Sequence, residues 1–283
     1  MYPPFNQKIA HSHCISLIQS IENGQTYIRH IAKPSLERLN QGIMIGSLVC
    51  KNQEDEDVIL YALSGNAKEL DLSENLLKQK CIVVPSIVAA TQIEIALEKN
   101  DKLIHQLTEK INNGQKELIS ERTKLTDESL RNVFSLYEFT RFDGTKITLN
   151  SIINSHNNKL PPTGTGDCCA PKLLSYAFSH NLIPYSMDEI YYGPNTKSKE
   201  NLHSYPPCDE RCGYILPEIL GLNILYKDND IVVVNKQSGL LGIRGISSDS
   251  RDIEDGMKIG NPRCALAQKM FTKKIIDHIA KYY

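Results

Sequence analysis

Two periods of hydrophobic residues organise this chain. From His11 to Arg38, Ile15, Leu17, Ile18 and Ile21 return at helical spacing, with Ile28 and Ile31 following a break at Asn23-Gly24, so the stretch is expected to form an interrupted helix. Ile43 to Cys50 and Val58 to Ser64 are short apolar runs joined by Glu54-Asp55-Glu56-Asp57, the pattern of two strands in a hairpin. The acidic run reads as a solvated loop tip, and His11 and His13, which lack a partner ligand at fixed spacing, as exposed residues at a helix start.

Between residues 86 and 140 the chain turns helical. Leu97, Ile104, Ile111, Leu118 and Leu125 recur by sevens, but the companion heptad positions hold Asn100, Leu107, Gly114, Glu121 and Glu128. A coiled-coil seam needs both positions apolar. Two amphipathic helices folded back at Asn112-Asn113-Gly114 are therefore preferred, with a homodimer through this insertion left open. Farther on, Ile183 to Tyr192 reads as a strand. Asp228-Asn229-Asp230 is a turn signal followed by the β-branched run Ile231 to Val234, which predicts another hairpin.

Composition changes this picture little. The 283 residues are 41% hydrophobic with a formal net charge of -1, so the chain can bury a core, and affinity for nucleic acid would need a local basic patch. Met1-Tyr-Pro-Pro-Phe-Asn carries no targeting signal, and no apolar run has the length of a membrane span. A cytoplasmic protein with no membrane partner is expected. Its eight cysteines are then free thiols or metal ligands rather than disulfides.

The candidate chemistry lies in a cysteine box. Gly164-Thr-Gly-Asp-Cys-Cys-Ala-Pro-Lys-Leu-Leu places Cys168 and Cys169 at the start of an apolar helix, where thiolates are favoured by free amides and the helix dipole. Asp167 is expected to cap that helix. Tyr205-Pro-Pro-Cys-Asp-Glu-Arg-Cys sets Cys208 and Cys212 four apart, on one helix face. Cys168, Cys208 and Cys212 would supply three of zinc's usual four ligands, with Cys169, His203 or water as the fourth.

The order of elements around these cysteines resembles that of zinc-dependent cytidine deaminases. That family pairs a His/Cys-x-Glu motif with Pro-Cys-x-x-Cys. Here Ala170 stands where the glutamate belongs, and three residues separate the second pair. The resemblance implies a deaminase-like domain without deaminase chemistry.

Asp-Asn-Asp-Ile-Val-Val-Val-Asn-Lys-Gln-Ser-Gly-Leu-Leu at 228–241 resembles the opening of the catalytic domain of RluA-type RNA pseudouridine synthases, with Gln237 in place of proline. Tyr-Tyr-Gly-Pro and Tyr-Pro-Pro-Cys-x-x-x-Cys add a likeness to a long bacterial subgroup with an extra N-terminal domain. The resemblance implies conversion of uridine to pseudouridine in rRNA or tRNA without a cofactor, and RNA contacts at Asn235, Lys236 and Gly239. The family's His-Arg-Leu-Asp motif follows none of the eight histidines, so no catalytic residue is assigned. A catalytically silent, truncated synthase is expected.

The fold expected is α/β. A three-layer deaminase-like mixed sheet over residues 1–222, with a helical-hairpin insertion at 86–140, precedes the first β-hairpin of an incomplete synthase domain at 223–283. Poor order after residue 226 would follow from that hairpin's unpaired edge. Two alternatives remain: a zinc-stabilised RNA- or partner-binding module without activity, and a hydrolytic zinc site using a different acid.

Overall fold

The structure, a computed structural model, describes residues 5–30 and 42–221 and the backbone of 223–227 and 232–235. Asn235 ends the last described strand, whereas Lys236 and Gly239 lie outside the described residues, as does most of the chain to which the expectation of poor order applied.

A central four-stranded sheet has the order β5-β3-β2-β8, where β2 is Ile43–Lys51, β3 Asp57–Leu63, β5 Cys81–Val83 and β8 Ile183–Tyr192. β2 pairs antiparallel with both β3 and β8, and β3 pairs parallel with β5. Every residue of β2 except Lys51 is buried. That is why its sequence is a continuous apolar run rather than an alternation: both faces of this central strand are covered.

Alternation along the strands decides what each face meets. Ile43, Ile45 and Val49 of β2 lie with Ala10, Cys14, Leu17 and Ile18 of helix α1 (Lys8–Glu22) in one core cluster. Those four helix residues recur at intervals of four, three and one, a single stripe. α1 stops at Asn23, and Gly24 follows at φ 66°, the left-handed conformation that commonly ends helices. Ile28, expected as helical, instead lies in strand β1 (Tyr27–His30), paired with β4 (Lys68–Asp71).

Met44, Leu48 and Cys50 belong to the cluster on the opposite face, with Cys169, Leu173 and Leu174 of α6 (Cys169–Ser179) and Ile215 and Ile219 of α7 (Cys212–Ile219). Helix α2 (Glu74–Lys78) leads into β5. The insertion forms α3 (Ala90–Asn112) and α4 (Ile119–Phe134), joined through Gly114 at φ 105°. Only Asn100 and Leu107 of α3 are buried, so the half-empty heptad is matched by a mostly exposed helix. A short pair, β6 (Glu138–Thr140) and β7 (Lys146–Thr148), and α5 (Leu149–Ser155) close this side. β9 (Asn223–Lys227) pairs antiparallel with β10 (Val232–Asn235).

Candidate metal centre

Gly46 and Glu189 are direct partners across β2 and β8. A Cβ on Gly46 would fall 2.6 Å from Cys169 Cβ, so only glycine lets α6 approach the sheet this closely. The approach buries Cys169, whose Sγ lies 3.4 Å from both Met44 O and Ala62 O. Cys169 is thus held by the sheet, and its neighbour Cys168 occupies the N-cap position of α6.

The second pair of thiols arrives on a loop that runs along β8. Leu202 N–H donates to Tyr191 O, Tyr191 N–H to His203 O, and Tyr205 N–H to Glu189 O, at 2.8, 2.9 and 2.9 Å. Pro206 and Pro207 then lead to Cys208, and Cys212 opens α7. Arg211 Nε donates to Thr163 O at 2.9 Å, tying this turn to the loop before α6.

These placements gather Cys168, Cys208 and Cys212. Their sulfurs lie within 4.8 Å of one another, with 4.0 Å between Cys168 and Cys208 and 3.8 Å between Cys208 and Cys212. Among the described residues they form a group able to hold a metal ion. Tetrahedral zinc with Zn–S bonds of about 2.3 Å sets thiolate sulfurs roughly 3.8 Å apart, so two of the three separations already fit.

Charge is distributed unevenly over the trio. Hydrogen bonding with Cys168 and Cys212 lowers the pKa of the Cys208 thiol, with help from the amides of Arg211 and Cys212. Its partners move upward, Cys168 chiefly through its contact with Cys208, and Cys212 through its contacts with Cys168 and Cys208. A soft cation would displace the thiol protons as it binds.

The other candidates fall away. His203 pairs with Glu200 at 3.6 Å on the surface, and Cys169 is directed into the sheet. Asp167 does not cap α6: its Oδ1 accepts from Tyr137 OH at 2.7 Å, and burial raises its pKa. His11 pairs with buried Asp188 at 2.8 Å.

Sequence reasoning missed Glu189. The residue is 5% exposed, and its Oε1 accepts a 3.0 Å hydrogen bond from Ala170 N–H. Burial pushes its pKa up to about 7, with the nearby Cys208 adding to the rise and Lys199 opposing it. An acidic residue inside an apolar strand that faces the core was the available signal.

Comparison with known proteins redirects the reading of the chain's last quarter. Residues 211–283 match the model of the Acetokinase family. The acetate kinase of Phytoplasma mali is 42% identical over 82 residues, which is 27% of this chain and 21% of that protein. That of Dictyoglomus turgidum is 38% identical over 99 residues, covering 31% and 24% of the two chains. That of Treponema denticola is 46% identical over 68 residues, covering 24% and 17%. The chain spans about a fifth of the length of these relatives. No solved structure matches.

These matches overturn the pseudouridine synthase reading. Its opening motif at 228–241 lies wholly within the segment that matches the Acetokinase family. The missing His-Arg-Leu-Asp motif had been attributed to truncation, whereas the residues that follow Gly239 belong to the same match to a different family. The RNA contacts expected of Asn235, Lys236 and Gly239, the rRNA or tRNA partner and the RNA-binding alternative lose the resemblance that carried them. The relatives are named instead for a kinase of acetate, a small molecule. Among the described residues no helix is long and apolar enough to cross a membrane.

Proposed function

We propose that residues 211–283 are a segment of an acetate-kinase-type phosphotransferase and that the chain takes part in phosphoryl transfer between ATP and acetate. The observation that carries this reading is the 42% identity to an acetate kinase over 82 residues. Phosphoryl transfer depends on positioning and on cations around the transferred group more than on covalent chemistry by the protein. A segment covering 21% of such an enzyme would therefore contribute part of a binding surface. The test is trapping acetyl phosphate as its hydroxamate from acetate and ATP, with the full chain against one lacking residues 236–283. Product that requires those residues is expected; no product, or equal product from both chains, would overturn the reading.

A second reading concerns the described domain, and the sulfur separations of 3.8 and 4.0 Å favour it. Cys168, Cys208 and Cys212 bind zinc, the ion suited to thiolates without redox change. Zinc holds α6, α7 and the loop along β8 together at one point. Blocking the thiols with a mercurial is expected to release stoichiometric zinc to a chromogenic chelator. Release of no zinc would remove this reading.

A further inference from the structure

We propose that the cavity at the ends of β3 and β5 binds a small carboxylate with an apolar body, its negative end received by Lys172 and Lys68. The described lining of this cavity includes neither the cysteine cluster nor any residue of 211–283.

Topology places the cavity. β3 and β5 run parallel and end at Leu63 and Val83, and ligands of α/β sheets collect beyond the carboxyl ends of parallel strands. The segments that follow, at Asn66 and at Val84 to Ser86, line a space of about 200 Å³. At about 30 Å³ each, some seven waters would fill it. Helix α3 starts there too. Ala90 and Thr91 line the space, and Ala89 before them has no side-chain oxygen to cap the helix, a state that favours a nearby anion.

Lys172 gives the site its charge. It lines the cavity, is 3% exposed, and closes the first turn of α6, where the helix dipole disfavours a cation. Burial lowers its pKa as well. Nζ donates to Leu63 O and, at 2.9 Å, to Gly65 O, which leaves one of its three N–H groups. Lys68, half-buried at the start of β4, lines the same space, and burial lowers its pKa too. Among the described residues neither lysine forms an ion pair. Glu69, also in the lining, is drawn off by Arg29 at 3.3 Å. A buried cation without a counter-ion is costly; an anion in the cavity supplies one.

The rest of the wall selects the body of the ligand. Leu63, Leu70, Val83, Val84 and Pro85 offer aliphatic surface, while Asn66, Ser86 and Thr91 add polar groups. Apolar surface in a closed space favours a ring or branched chain over a small, strongly hydrated anion such as acetate or phosphate.

A ligand-observed NMR titration of the full chain with benzoate tests this, with benzamide as a neutral molecule of the same shape and acetate as the bare headgroup. Benzoate is expected to bind at least about tenfold more tightly than either, the size of a charge-assisted hydrogen bond. Lys172→Met and Lys68→Met are each expected to weaken benzoate about tenfold and to leave benzamide within about twofold. The Lys68 side chain is partly in water, so its variant serves if Lys172→Met does not fold. No benzoate binding at about 10 mM would overturn the site. Equal binding of benzoate and benzamide would overturn the role of the lysines, and acetate binding as tightly as benzoate would overturn the apolar body. Benzoate binding that survives both substitutions unchanged would place the ligand elsewhere and overturn the proposal as a whole.

Discussion

Asp188 and Glu189 are neighbours on β8, both buried, and they face opposite sides of the sheet. On the α1 side, Asp188 Oδ1 accepts from Gln7 Nε2 at 2.7 Å, while Oδ2 is 2.8 Å from both Ser204 Oγ and His11 Nδ1. On the α6 side, Glu189 Oε1 accepts from the Ala170 amide at 3.0 Å. Burying a charge is costly unless donors replace the lost water. Asp188 is fully supplied and anchors α1 and the 204 loop to the sheet. Glu189 is undersupplied, and its carboxyl is left near neutrality between charged and protonated forms. One strand thus carries an acid tied off by several donors on one face and an acid left with fewer donors on the other, so neighbouring residues meet different environments across a single layer of backbone.

The largest expected effect breaks the tied-off side. Asp188→Ala strands three donors in or near the core and should lower stability by about 3 to 5 kcal/mol, towards the lower end because His11 can reach water. Urea denaturation reads it.

Glu189 gives the opposite sign. Its folded pKa, about 7, lies above the ordinary 4.5, so the folded state binds its proton more tightly than the unfolded chain. The stability this confers is complete below about pH 4.5 and is lost as pH rises through 7. At about 1.4 kcal/mol per unit the loss amounts to about 3 kcal/mol. Glu189→Gln in metal-free protein should flatten that part of the stability–pH curve and leave the variant the more stable form at pH 8.

Gly46→Ala sharpens the comparison from beneath. The added methyl meets Cys169 and should cost about 2 kcal/mol through forced repacking. It should also weaken metal binding, since α6 carries both Cys168 and the amide that holds Glu189. Retained stability with normal metal binding would show that α6 does not depend on this close approach.

Much of the framework was legible beforehand. β2, β3 and β8 followed from apolar runs, the helical hairpin from heptads with missing partners, and α6 from the apolar residues after Cys169. The three thiols could be named from spacing and helix-start position alone. Short elements such as β4, β5 and β6 could not, because three or four residues carry no period and form only when the sheet and helices pair them. Glu189 was hidden for a related reason: its meaning depends on Gly46 opposite and Ala170 above, 143 and 19 positions away in the chain. The end of the chain misled through a short motif. Asn-Lys-x-x-Gly-Leu-Leu lies inside residues 211–283, a segment whose match to the Acetokinase family extends well beyond those few positions.

The most direct test of the metal centre is elemental mass spectrometry of the freshly purified full chain beside Cys208→Ser and Cys212→Ser. Stoichiometric zinc in the unaltered chain, lost from both variants while their circular dichroism stays native, is the expected result. A zinc-free chain, or zinc retained by both variants, would contradict a site built on these thiols.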